Sequence, residues 1–135
     1  MKYLFLLITF VCTSMNEYES NKISVTDGSE LMKEWKVIKM KGLEKLNSSP
    51  TMVFEEEDAK VGGFAGCNRY FSTFTFSGNT LSFGNTGATR KMCQDMSVED
   101  TFLNLLPKIA RYEIVKKELY LYDQKDELLI TAFSE

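Results

Sequence analysis

The stretch Tyr70-Phe71-Ser72-Thr73-Phe74-Thr75-Phe76 runs through Ser77-Gly78-Asn79 into Thr80-Leu81-Ser82-Phe83. Aromatic and polar residues alternate in its second half. An extended chain points successive side chains to opposite faces, so this is the pattern of a half-buried strand. Gly78-Asn79 is a turn pair, and it folds the two segments into a β-hairpin.

Strand patterns recur on both sides of this hairpin. Upstream, Trp35 to Met40 is a strand, preceded by a helical turn from Ser29 to Glu34. Asn47 to Pro50 is a turn, and Thr51 to Phe54 is a second strand. Glu55-Glu56-Glu57-Asp58 reads as a solvated acidic loop without the ligand spacing of a calcium loop. Lys60 to Gly66 is a third strand, in which Gly62 and Gly63 mark a bulge or a close backbone approach. Downstream, Val98, Phe102, Leu105, Leu106 and Ile109 share one helical face, with Leu103 beside it. Ser97 is placed to cap this helix with Asp100 three residues on, and Pro107 ends or kinks it. Tyr112 to Lys116, Leu119 to Tyr122 and Glu127 to Phe133 close the chain as strands. The fold class is therefore mainly β (α+β). A strongly twisted antiparallel sheet curls toward a barrel, with one helix packed on it.

Composition narrows the function. The chain has 135 residues, the size of one domain. Ten Phe, six Tyr and one Trp are enough for one real core. A formal net charge of −3 lacks the basic footprint of a nucleic-acid binder. Histidine is absent, which removes Ser-His-Asp and Cys-His catalysis and histidine-ligated metals together. The Gly-rich Val61 to Gly66 has no Lys to hold a phosphate, and no dinucleotide fingerprint or other cofactor motif is seen. Carboxylates offer no paired-acid site: Glu55 to Asp58 are consecutive and cannot all converge, and Glu99 is expected in the first turn of the helix, in contact with an Arg or a backbone amide rather than facing an open cleft. The expectation is a protein that is not an enzyme, with no metal and no cofactor.

The N-terminus reads as an address. Met1-Lys2 precedes the apolar run Tyr3 to Val11, which is short for a bilayer span and fits a secretory core region. Residues 1–14 are read as a signal peptide or lipoprotein signal, and residues 15–30 as a polar tether. Cys12 stands where a bacterial lipoprotein carries its acylated cysteine. Val11 is larger than the small residue such signals place there, so cleavage near Ser14 is the alternative. Either route leads to the bacterial periplasm or outer membrane, with the membrane reached only through a lipid anchor.

Removing or acylating Cys12 leaves Cys67 and Cys93 as an even pair in an oxidising compartment, where disulfides persist. Their spacing of 26 closes a loop worth about 3.5 kcal/mol on a chain-entropy model. A reduced, reactive Cys67 is the alternative; zinc would find only half a tetrahedral site.

Gly63-Phe64-Ala65-Gly66-Cys67-Asn68-Arg69-Tyr70 resembles the signature of the META/HslJ-like domain. Trp35 matches the Trp that opens that family's first strand. Thr89-Arg90-Lys91-Met92-Cys93 resembles its Thr-Arg-Met-x-Cys element, with Lys91 where the family favours an apolar residue. Glu99-Asp100-Thr101-Phe102-Leu103 and Leu119 to Asp123 resemble its helix start and penultimate strand. The resemblance spans residues 31–135. It implies a barrel-like sheet with a helix and a small exported envelope protein, often a lipoprotein, with a namesake tied to heat induction and novobiocin resistance. It carries no established reaction and no catalytic residue.

Cys67, Asn68, Arg69, Thr89, Arg90 and Cys93 converge if the cysteines pair. One reading is structural, with Asn68 taking left-handed backbone in a turn and Arg69 and Arg90 holding acidic partners such as Glu99. The other is a donor-rich site for an anion or peptide carboxylate. Phe71, Phe74, Phe76 and Phe83 are either core or the lining of a barrel mouth. The expected function is a non-catalytic envelope module supporting stress tolerance through protein contacts. The alternative is a small-ligand or peptide-carboxylate binder using Asn68, Arg69, Thr89 and Arg90. The expected partner is an envelope protein or a small anionic ligand.

Overall fold

The computed structural model describes residues 28–135. The predicted signal with Cys12, and most of the predicted tether, lie outside the described residues.

Gly28 to Glu30, placed in the tether by the sequence, are part of the folded unit. Gly28 is buried and precedes a 3-10 turn at Ser29–Leu31. The Phe76 ring lies where a Cβ on Gly28 would be, and Gly28 has φ +82°, so glycine alone fits. Leu31 is fully buried, and its carbonyl accepts the Trp35 Nε1–H at 3.0 Å, which ties the turn to the first strand.

Nine strands follow: β1 (Glu34–Met40), β2 (Thr51–Glu55), β3 (Lys60–Phe64), β4 (Arg69–Ser77), β5 (Thr80–Phe83), β6 (Gly87–Ala88), β7 (Arg111–Val115), β8 (Glu118–Tyr122) and β9 (Leu128–Phe133). All pairings are antiparallel, in the order β3-β2-β1-β9-β8-β7-β5-β4, and β3 pairs again with β4. The sheet thus closes on itself as an eight-strand barrel. The joint between β5 and β7 is short: Thr80 faces Arg111, flanked by backbone bonds Leu81 to Ala110 and Tyr112 to Asn79. β6 extends the β5 side of the wall, pairing with Tyr70 and Phe71.

Alternation fills the interior. Trp35, Val37, Met52, Phe54, Val61, Tyr70, Phe74, Leu81, Tyr112, Leu119, Leu121 and Ile130 are buried in one cluster. In β1 the register against β9 shifts between Val37 and Lys39. The extra residue leaves both Ile38 and Lys39 outside and brings Met40, rather than Lys39, into the core. A barrel of this strand number is filled by side chains. Accordingly Phe54 and Phe74 meet edge to face at 5.1 Å, and Phe76 and Phe83 pack against the same core. Phe71 departs from the set, standing outside the barrel and 66% exposed.

The helix, α1 (Ser97–Leu105), packs on the barrel through Val98, Phe102 and Leu105. The Phe102 ring meets Tyr70 at 5.1 Å. Its start differs from the expected capping box: the Ser97 amide donates to Asp95 Oδ1 at 2.8 Å, so the cap comes from two residues upstream. Pro107 lies in a 3-10 turn, Leu106–Lys108, that continues the helix. Ile109 is buried but follows the helix in extended backbone rather than sharing its face.

Candidate functional site

The convergent cluster forms where the turn after β3 meets the first turn of α1. Ala65 N–H donates to the Asn68 carbonyl at 2.7 Å, closing the turn. Gly66 has φ +132°, and a Cβ there would stand 2.9 Å from the Glu99 amide nitrogen. The missing side chain at Gly66 is what lets the helix approach the turn. Cys67 and Cys93 are joined in a disulfide, with Cα atoms 6.0 Å apart. This ties the turn to the segment before α1.

Asn68 is buried, and its side chain uses its full bonding capacity. Nδ2 donates to the Lys91 carbonyl and to Glu99 Oε2, each at 2.8 Å. Oδ1 accepts from the Lys91 amide at 2.6 Å and from the Thr89 hydroxyl at 3.0 Å. The expected left-handed backbone at Asn68 is not found. Positive φ among non-glycine residues falls at Ala59, Lys116 and Asp126. The residue is there for its amide, which clamps residues 89–91 beside the turn.

Glu99 is 5% exposed. Its Oε1 accepts the amides of Asn68 at 2.6 Å and Cys67 at 3.3 Å. A carboxylate in the first turn of a helix also suits the helix dipole. Of the two partners expected for Glu99, an arginine or a backbone amide, the structure supplies the amides. Thr89 takes a bridging place, since its hydroxyl oxygen also accepts the Arg69 amide at 3.3 Å. Arg69 and Arg90 are exposed, and among the described residues neither forms an ion pair. The structure therefore gathers Cys67, Asn68, Thr89, Cys93 and Glu99 into one bonded knot and leaves the two guanidiniums on its surface. No group of metal-ligating side chains occurs among the described residues. No described helix is long and apolar enough to cross a membrane.

Sequence reasoning missed the parts played by Lys91 and Asp95. Lys91 acts through its backbone, which side-chain identity does not reveal. Asp95 was detectable, because an Asp two residues before a helix start readily accepts its first amides. Tyr70 adds a further tie, donating to the Thr51 carbonyl at 2.8 Å, while burial pushes its hydroxyl far above the usual tyrosine range.

A family model described as META domain matches residues 29–134. The chain belongs to the META domain family. The match covers the barrel, the helix and the Cys67–Cys93 knot of this META domain. No curated protein matches it. Among solved structures it is similar to a protein from Burkholderia xenovorans determined by NMR, with TM-score 0.63 and 23% identity over 79% of this chain and 86% of that one. It is also similar to a DUF4847 family protein from Bacteroides vulgatus, with TM-score 0.58 and 12% identity over 77% of this chain and 93% of that one. At these identities the likeness is one of fold.

Proposed function

We propose that this META domain is a non-catalytic, exported envelope protein that supports stress tolerance through contacts with other envelope proteins. The observation that carries the reading is the knot itself. Asn68, Thr89 and Glu99 direct their polar atoms at one another and at backbone, so the most chemically equipped part of the chain serves to hold the fold. Contact chemistry is then left to the outer wall. Lys36, Phe133, Glu118 and Val115 form one row across β1, β9, β8 and β7. Ile38, Leu128, Phe133 and Val115 are exposed apolar residues on these strands, interleaved with charges in the manner of a contact surface. A disulfide that persists in oxidising compartments supports export, as does the short apolar run at residues 3–11.

The test is made in the native host. Intact mass should show residues 1–14 removed, or a lipid on Cys12. A photo-crosslinking side chain at Val115 or Phe133 should give a discrete adduct with an envelope protein, and one at Glu57 should not. Unprocessed chain in the cytosol would defeat the export reading. Identical adducts from all three positions would defeat the contact reading. Arg69 and Arg90, exposed and outside any ion pair among the described residues, favour a second reading as a small-anion or peptide-carboxylate binder.

A further inference from the structure

Outside the barrel, next to the knot, Phe71 occupies an unusual seat. The residue is 66% exposed, yet its ring is not loose: a Cβ on Gly87 would stand 2.5 Å from Phe71 Cζ. The ring therefore rests on bare β6 backbone and is held in place while most of it faces solvent. In the sheet register Val53 pairs with Gly62, Gly62 with Phe71, and Phe71 with Gly87, so glycines flank the ring on both sides. Over Gly62 and Gly63 lies an open cleft of about 430 Å³, walled by Phe71 and Val53, with Arg69 on its border and Glu55 and Lys60 among its lining residues.

We propose that this cleft binds an acidic glycan, a pyranose chain carrying carboxylates, with one ring stacked on Phe71 and a carboxylate held by Arg69. A pyranose has a flat C–H face that suits the negative face of an aromatic ring, and a hydroxyl rim that needs donors and acceptors. The cleft offers that combination: a seated ring, a floor without side chains, and charges of both signs. Arg69 selects the acid. Lys60 is bonded to Asp58 and Glu55 lies beside it at one end of the cleft, whereas Arg69 pairs with Phe64 at the other end of β3 and is free of ion pairs among the described residues. A guanidinium placed there grips a carboxylate with two parallel bonds. A peptide strand is disfavoured, because β2, β3 and β4 are each paired on both sides here and offer no free edge to extend. This proposal stands independently of export and of the protein contacts on the opposite wall.

The test titrates tetragalacturonate and cellotetraose into the protein as its host processes it, following backbone amide shifts by NMR. Saturable shifts are expected at Gly62, Phe71 and Gly87, with the acidic tetramer bound about tenfold more tightly than the neutral one. Phe71→Ala should weaken both sugars by about tenfold or more, as loss of a stacking platform does elsewhere. Arg69→Gln should abolish the preference for the acid and leave cellotetraose binding unchanged. Both side chains are exposed, so an unchanged melting curve should accompany each variant. No saturable shift at these amides with either sugar at millimolar concentration would overturn the proposal, as would binding untouched by Phe71→Ala. Concentration-dependent broadening at Phe71 without sugar, lost in Phe71→Ala, would assign the face to a second copy of the chain and equally overturn it.

Discussion

Asn68 and Glu99 are joined twice: the Asn68 amide nitrogen donates to Glu99 Oε1 at 2.6 Å, and its Nδ2 donates to Oε2 at 2.8 Å. One carboxylate thus grips both the backbone and the side chain of the same residue, linking the barrel wall to the helix. Because Asn68 also holds Lys91 and Thr89, it is the point at which three segments are tied together.

Asn68→Ala would leave the Glu99 carboxylate and the Lys91 backbone short of buried partners. A hydrogen bond to a charged group contributes about 1.5–3 kcal/mol, and stranded buried groups add to the loss. The expected destabilisation is about 3 kcal/mol, read from the urea midpoint. Glu99→Gln should cost less, since an amide oxygen still accepts. In a double-mutant cycle the two substitutions should couple by about 1 kcal/mol or more. Additive effects would show that the pair does not act as a unit.

The Cys67–Cys93 bond ties the same two segments that Asn68 ties. Cys67→Ser in oxidised protein should lower stability by about 2–5 kcal/mol. The folded structure should nevertheless survive, because the Asn68 bonds to residues 89–91 hold the segment in register without the disulfide. The expected result is a lower thermal midpoint with an unchanged far-ultraviolet spectrum before the transition. An unchanged midpoint would mean that the bond constrains nothing the hydrogen bonds do not already fix.

Strand positions were legible because Phe74, Phe76, Leu81, Leu119 and Leu121 alternate cleanly with polar neighbours, and local period alone dictates which face they take. The helix was legible from Val98, Phe102 and Leu105 for the same reason. β6 was not, since Gly87-Ala88 has no pattern of its own and exists through pairing with Tyr70 and Phe71. Barrel closure through β3 and β4 likewise depends on register rather than composition. At the site, the sequence brought the right residues together and left Glu99 a choice between an arginine and a backbone amide, of which the structure takes the amide. Arginine looked the natural partner for a carboxylate, whereas the buried amides of Cys67 and Asn68 had the stronger need of an acceptor.

Tyr112 carries the reverse situation. It is 1% exposed, and its hydroxyl has no hydrogen-bond partner among the described residues. A buried hydroxyl without a partner costs about 1–3 kcal/mol relative to its solvated state. Tyr112→Phe keeps the ring and removes the cost, so it should raise stability by about 1 kcal/mol. Tyr112→Ala should instead lose about 3–5 kcal/mol through the cavity it opens in the barrel. Denaturant titration of both variants checks the pair, and a destabilised Tyr112→Phe would reveal a bond to that hydroxyl.

The cap of α1 contributes to the acid side of the stability curve. Hydrogen bonds from the Ser97 hydroxyl and amide, joined by Asn47, hold the Asp95 carboxyl below its ordinary value of 3.8. A carboxyl lowered in the folded state binds fewer protons there than in the unfolded chain. Stability from this group is therefore fully present above about pH 4 and is lost as pH falls through the folded value. Asp95→Asn removes the titration while keeping an oxygen that can accept the Ser97 amide. The variant should be less stable than the parent near neutral pH, where the carboxylate's contribution is present, and the two should converge as pH falls below 3.8. Thermal midpoints across that range measure the difference directly. Parallel curves for parent and variant would show that Asp95 titrates alike in the folded and unfolded chain, and the cap would then contribute nothing to acid sensitivity.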